Sequence, residues 1–421
     1  MFSWRPSSVS QIRKPLLLAL GTALLTATPA LARNRGHGRG PSAPHAGATT
    51  PRTPSSSNPS AAVNAQGCSA QGVVNIATYN VENFWDDVDS NSGTATYNEY
   101  QKGGSNWYAE QMYKVKAQKL VDALRMAGTP DVVAMQEIES ANNSSRSLEI
   151  LKPYAESLGY KYFALGQQNS KQPVSVTTAV MSKFPITENR SLDFSVRESQ
   201  FSGSGRESES VDELNSSARD PQVVTIDIHG KPLRLYTAHW KSRRGDQSIG
   251  NTMRMAVAQL IKADVDAQRE KNPELDILVM GDFNSDYNES PLQDGMNSSD
   301  DKNNIRQDAA SDKMYNLWFE LPSAERCSYM HDGQLQCLDH MLTSASLFDG
   351  KGIDLIENSF HVVGHNGGEA AQKLLRNDGR TPNRWGMQKN SGKSYFTGTG
   401  YSDHLPLMAS FKLPSLCKPT R

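Results

Sequence analysis

The first 67 residues contain no acidic side chain at all, and apart from one short run they hold little that is large and apolar. That run, Leu16 to Leu25, falls short of the ~20 apolar residues a helix needs to cross a bilayer. Arg5, Arg13 and Lys14 precede it and Ala30-Leu31-Ala32 follows. This is the anatomy of a secretory leader (residues 1–32) cleaved after Ala32, and no cysteine stands at the cut to take a lipid. From 33 to 67 the chain is mostly Arg, Gly, Ser, Pro, Ala and Thr, which cannot bury enough surface to offset conformational entropy and is read as a disordered linker. Residues 68–421 remain as one catalytic domain, with no internal repeat and no second long apolar segment, so no membrane insertion is expected after the leader is removed.

Positive charge is also scarce where it would matter. Seven of the 44 basic residues lie before residue 68, so 37 bases face 45 acids in the remainder, a net charge of about −8. Blanket attraction to a polyanion is excluded. Any phosphate must be held by a few local cations, or by metal ions bound to the chain's own carboxylates. Cysteines number four, Cys68, Cys327, Cys337 and Cys417, at spacings that do not suit zinc. In an exported chain an even count favours disulfides. Asp332-Gly333 reads as a hairpin turn midway between Cys327 and Cys337, which favours that pair and leaves Cys68–Cys417 to tie the ends together. No obligate protein partner is evident.

Apolar strands and amphipathic helices alternate from Val73 to Phe411. Val74–Asn80, Asp131–Glu137, Leu233–Trp240, Asp276–Asn284, Cys337–Leu342 and Leu405–Phe411 read as strands. Tyr113, Ala117, Leu120, Val121 and Leu124 share a helical face ended by Gly128 and Pro130; Met253, Val257, Leu260, Ile261 and Val265 share another, stopped near Pro273. The polar stretches 86–106, 190–218, 297–313 and 364–395 read as surface loops, the last long enough to suggest a role.

One pattern recurs: a strand running into a small polar cluster. Ile76–Tyr79 leads into Asn80-Val81-Glu82-Asn83, Val132–Met135 into Gln136-Glu137, Leu233–Ala238 into His239-Trp240-Lys241, and Ile277–Met280 into Gly281-Asp282-Phe283-Asn284. At the end the order inverts, with Ser402-Asp403-His404 just before Leu405-Pro406-Leu407. An antiparallel strand starts where its neighbours finish, so all five clusters can meet at one rim. Singly each is weak: Asn80 suits a strand-end turn, Gly281–Asn284 is a good turn sequence, and Lys241-Ser242-Arg243-Arg244 is a common sort of solvated run. In this order they point to phosphoryl chemistry. Two carboxylates about 5 Å apart repel by roughly 3 kcal/mol at an effective dielectric near 20, a cost that an expected cation would offset. Glu82, Glu137 and Asp403 are oxygen ligands suited to a hard cation. His404 could take a proton from water if Asp339 fixes its tautomer, while His239 and Asn284 could donate to phosphate oxygens.

Through TYNVEN (78–83), MQEIE (135–139), AHWKS (238–242), GDFNS (281–285), LDHML (338–342) and SDHLP (402–406), the sequence resembles the endonuclease/exonuclease/phosphatase superfamily, the fold of pancreatic deoxyribonuclease and the abasic-site endonucleases. The HWKS form behind a leader is similar to that of exported bacterial nucleases. The resemblance implies an α/β (α+β) four-layer αββα sandwich, two mixed sheets face to face with helices outside. It implies Asn80, Glu82, Glu137 and Asp403 on the metal side. His404 with Asp339 would be the base and its orienting acid, Asp282 with Asn284 the pair that positions nucleophile and phosphate, and His239 a second catalytic histidine. Lys241 and Arg219 fall where related enzymes keep phosphate-facing cations. The expected cofactor is a divalent metal, Mg²⁺ first and Mn²⁺ or Ca²⁺ next; the expected substrate is nucleic acid, DNA and then RNA, in the periplasm or the medium. A phosphatase, or a sphingomyelinase-like phospholipid phosphodiesterase, is the alternative on the same fold. One departure stands out: pancreatic-type enzymes keep an arginine for the DNA groove two residues after the metal glutamate, and here that residue is Glu139.

Overall fold

A computed structural model of the chain describes residues 72–87, 112–140, 143–168, 176–201, 210–216, 218–308, 310–365, 368–390 and 393–414. The leader, the linker, Cys68, Cys417 and most of the loop expected at 86–106 lie outside them.

Two mixed seven-stranded sheets form the centre. The first contains β1 (Val73–Phe84), β2 (Val132–Glu139), β3 (Tyr162–Leu165), β4 (Val176–Ser182) and, from further along the chain, Asp354–Leu355, His361–Val362 and Leu407–Lys412. The second is β5 (Ile186–Ser191), β6 (Gln222–Ile228), β7 (Lys231–His239), β8 (Asp276–Asp282), β9 (Ser298–Ser299), β10 (Met314–Asn316) and Asp339–Thr343. In each sheet the two central strands are parallel, β1 with β2 and β7 with β8, and their other neighbours run antiparallel. The sheets face each other through β1, β2 and β4 against β7 and β8.

Helices close the outer faces. The helix α1 (Met112–Met126) buries Ala117, Leu120, Val121 and Leu124 and packs with α2 (Arg146–Glu156) on the first sheet. The long α3 (Gln247–Lys271) lays Met253, Val257, Ile261 and Val265 against Val223, Tyr236, Ile277 and Val279 of the second. Asp246 caps it by accepting from the Ser248 and Ile249 backbone N–H groups. The four-layer sandwich is therefore the one expected.

Three of the stretches read as loops carry more structure than that. Residues 190–218 include the end of β5 and a helix at Val211–Ser216, and 297–313 includes β9 and a helix at Lys302–Gln307. Residues 364–395 hold a helical turn at Gly368–Ala371 and a hairpin of Met387–Asn390 with Lys393–Phe396. These elements are short, so they lack the apolar period by which longer ones announce themselves.

The hairpin foreseen around Asp332-Gly333 is present as Tyr329–His331 with Gln334–Gln336, and both turn residues take positive φ, 48° and 77°. The disulfide foreseen there is not formed. Cys327 and Cys337 are buried free thiols whose sulfurs lie against the carbonyls of Tyr329 and Arg326.

Two expectations follow from the fold itself. Gly281 adopts φ 143°, and a Cβ there would lie 2.1 Å from the Ala238 carbonyl oxygen. The glycine of GDFN thus lets β7 and β8 close up where His239 and Asp282 sit side by side. Gly281→Ala should cost about 1–3 kcal/mol from backbone strain alone, measurable by urea unfolding, and an unchanged midpoint would refute it.

Asp276, at the other end of β8, is driven up to about 7 by burial; the Ile353 N–H bonded to it opposes the rise, while Asp349 and Asp354 add to it. A carboxyl raised in the fold binds a proton that the unfolded chain has released, so stability grows as pH falls from about 7 towards 4. Asp276→Asn should flatten that slope and raise stability at pH 8 by on the order of a few kcal/mol. Denaturation at pH 5.5 and 8 reads both.

Candidate active site

The rim at the carboxyl ends of β1, β2, β7 and β8 gathers the polar clusters. Strand pairing alone places three of them: Asp282 is opposite His239 in the parallel pair and opposite Asp339 in the antiparallel one. Asp403 and His404 precede the final strand, which runs antiparallel to β1, so they start where β1 ends. Bulges do the rest. The β1–β2 register slips between Asn80 and Phe84, and the β2–β4 register between Gln136 and Ile138. Glu82, Glu137 and Asn284 all have positive φ (54°, 66° and 49°), a conformation uncommon outside glycine that is retained where a side chain must be re-aimed. Gln136 stays inside, bonded to Thr78 and Thr237, while Glu137 turns to the mouth with its side chain 19% exposed.

At the centre lies Asp282. Its Oδ2 is 3.6 Å from His239 Nε2 and 3.7 Å from His404 Nε2, and it accepts from Asn80 Nδ2 at 2.9 Å. Its Oδ1 accepts from the Asn284 N–H at 2.9 Å. Behind His404, Asp339 Oδ2 meets Nδ1 at 2.7 Å and is itself bonded by the Ser328 hydroxyl at 2.6 Å. The ring of Tyr329 covers His404 at 4.6 Å. Asn80 Nδ2 also reaches Glu137 Oε1 at 3.2 Å, and Glu137 Oε2 accepts from the Asn83 N–H at 2.8 Å. Both imidazole–Asp282 gaps exceed a hydrogen bond, as expected where a third group, a water or a phosphate oxygen, is to sit between them.

Charge states differ sharply between the histidines. Burial, then the nearby charges of Arg219 and His404, hold His239 well below its ordinary value, so it is neutral. Burial works against charge on His404 too, but Asp339 and Asp282 overcome it and keep His404 well above its usual range, an imidazolium. Asp282 is pushed up by burial, a rise that His404 opposes and Asp339 reinforces. The sequence analysis expects His404 to accept a proton; Asp339 and Asp282 beside it favour its charged form instead.

The expected metal side divides in two. Asn80 and Glu137 stand with Asp282, whereas Glu82 and Asp403 face Arg384, whose Nε bonds Glu82 Oε1 and whose Nη2 lies 3.6 Å from Asp403 Oδ2. Asp282, Asp339 and His404 also offer donor atoms within 4.8 Å of one another. Among the described residues, the buried Asp339 Oδ1 has no hydrogen-bond partner. Oxygen donors at an accessible mouth, around the Glu137 carboxylate, suit a hard divalent cation. Arg219 reaches the Trp240 carbonyl at 3.4 Å on the His239 side, and Lys241 follows His239 by two residues. Asn284 Nδ2 also donates to the Trp240 carbonyl, at 3.2 Å. Glu139 is turned inward, 2% exposed and accepting from the Asp86 N–H at 2.7 Å, so the groove-reading position of pancreatic-type enzymes is given over to structure.

Residues 75–412 match the model of the endonuclease/exonuclease/phosphatase family. The chain belongs to that family. It is a metal-dependent hydrolase of phosphodiester bonds. Solved structures similar to it include sphingomyelinase C from Streptomyces griseocarneus (15% identity, 80% of this chain and 99% of that one, TM-score 0.46) and truncated TDP2 from Caenorhabditis elegans (14%, 81% and 98%, 0.43). A Staphylococcus aureus beta toxin double mutant with bound magnesium ions is a third (15%, 80% and 99%, 0.47). No curated protein sequence matches the chain.

Three contributors had no motif to reveal them: Ser328 and Tyr329, which brace the Asp339–His404 pair, and Arg384. Ser402 lay in plain view within SDHLP; its hydroxyl donates to the Asn80 carbonyl at 2.7 Å and accepts from the His404 N–H at 3.1 Å.

Proposed function

We propose that the chain is an exported nuclease, acting on DNA and also on RNA with Mg²⁺ as its cofactor. The observation that carries the chemistry is Asp282 flanked by two imidazoles just beyond bonding distance, with burial disfavouring charge on His239 and Asp339 and Asp282 favouring it on His404. A base and an acid side by side, separated by their surroundings, are what hydrolysis of an ester needs. Water held at Asp282 gives its proton to that carboxylate as its oxygen attacks phosphorus. The phosphorus–oxygen bond on the far side breaks, and His404 supplies the departing oxygen with a proton. His239 Nε2–H and the second amide proton of Asn284 face the phosphate oxygens. Asp339, held by Ser328, keeps His404 charged and oriented. Glu137 would hold a divalent ion, which would polarise the phosphoryl oxygens.

Nucleic acid is favoured as substrate by the cations around this rim. Arg219 acts on His239, Arg244 on Tyr329, and Arg384 stands half exposed over the acids. They are local, as an acidic chain handling a polyanion requires. Export rests on the leader sequence, with the periplasm or the medium as destination. Plasmid DNA, single-stranded DNA, RNA, sphingomyelin and inositol phosphates, each with Mg²⁺, Mn²⁺, Ca²⁺ or EDTA, form the test. Nucleic acid should be cut with Mg²⁺ and left intact with EDTA. Turnover of sphingomyelin or inositol phosphate alone would replace this reading with the lipid or phosphatase one.

A further inference from the structure

Asp403 is close enough to Glu82 to disfavour the charge on Glu82, and a cationic partner is already in place. Arg384 bonds Glu82 through Nε and approaches Asp403 through Nη2, and the Trp385 N–H gives Glu82 Oε2 a further bond at 3.2 Å. On the inner side Lys116, fully buried, adds a second positive charge towards the same two acids, its Nζ fixed by the Tyr401 carbonyl at 2.7 Å and by the Trp385 ring at 4.9 Å.

Nor is Arg384 carried on a loose loop. Asn383 N–H bonds Leu374 O at 2.7 Å, Tyr401 N–H bonds Asn383 O at 2.7 Å, and Gly386 N–H bonds Thr399 O at 2.8 Å. Gly400, at φ 75°, packs so closely on this segment that a Cβ would lie 1.9 Å from the Arg384 carbonyl oxygen. Trp385 is buried with Trp85, Val176 and Phe396. The backbone is therefore anchored on both sides of the arginine.

We infer that Arg384 is a built-in cation holding the place of a second metal ion, so that this enzyme binds one divalent ion, at Glu137, and Glu82 and Asp403 ligate none. The inference rests on the metal-dependent reading of the site and names which carboxylates serve it. A guanidinium satisfies two carboxylates with fixed, directional donors and does not dissociate as a bound ion does. Its half-exposed outer edge can meet a substrate phosphate from the side that a second ion would otherwise occupy.

Mn²⁺ binding to the full chain, followed by calorimetry and by the EPR signal of the free ion, tests this without substrate. Wild type should bind one ion; Glu137→Gln should weaken it about a hundredfold or more, while Glu82→Gln leaves number and affinity as they were. Arg384→Ala should gain a second ion, a gain lost again when Glu82→Gln is added. Arg384→Gln serves if the alanine variant does not fold, with circular dichroism as the check. Two ions in wild type, weaker binding on Glu82→Gln, or no second ion once Arg384 is gone would each overturn the inference. Failure to cut nucleic acid would instead overturn the nuclease reading and leave the ion count standing.

Discussion

His404→Ala should lower kcat on plasmid DNA by about 10²–10⁴-fold, the range a positioned acid or base contributes, and should lower the melting temperature as well. The second part follows from pairing: the imidazole is buried between Asp339 and Asp282, and its removal leaves those acids without their cation. The pH profile separates its role from mere packing. His404 is useful while charged, so the wild-type rate should fall as pH rises through its elevated value, and the alanine variant should lose that falling limb. Asp339 is the foremost of the anions that hold the proton on His404. Asp339→Asn should therefore move the falling limb to lower pH while costing rate through lost orientation. A profile of unchanged shape in both variants would remove His404 as the proton donor.

How much of this could be read from the chain is clear at particular residues. Strand period and the strand-then-polar pattern placed Asp282 and His239, because a parallel pair with ends in register sets His239 beside Asp282 whatever the rest of the fold does. Asp339 and His404 were legible for the complementary reason, Asp339 at the start of a strand antiparallel to β8 and His404 just before one antiparallel to β1. Glu137 was found by its motif but not by its period. Strict alternation cannot send Gln136 inward and Glu137 to the rim as the structure does; a bulge and a φ of 66° intervene, and nothing local in the sequence announces them.

Arg384 marks where sequence reading ran out. It sits 302 residues from Glu82, in a stretch whose composition says only that it is polar, and its position depends on Gly400, Tyr401 and Trp385 meeting around it. Charge state was likewise invisible. His404 and His239 read alike in the sequence, yet Asp339 backs only His404 and favours its charge, while burial, with Arg219 and His404 adding to it, disfavours charge on His239. The disulfide expected at the Asp332-Gly333 hairpin shows the converse limit. The turn was legible, but the direction of the two sulfurs, each set against a backbone carbonyl, was not.

Asp282→Asn is the sharper test of the proton acceptor. Asparagine keeps the size of the side chain and an oxygen that could still meet Asn80, so the strand pairing with His239 and Asp339 should survive. What it removes is the acceptor, and the expected loss in kcat is again about 10²–10⁴-fold. Burial has driven this carboxyl up to about 7, so in wild type the rate should rise with pH through that region as Asp282 loses its proton. The asparagine variant should show no such rise. Metal binding offers a control independent of rate: Glu137 remains, so Mn²⁺ affinity should change far less than activity. Should Asp282→Asn keep the rising limb, or lose activity only in proportion to lost metal, the proton acceptor lies elsewhere and the gap between the two imidazoles must be assigned to phosphate alone.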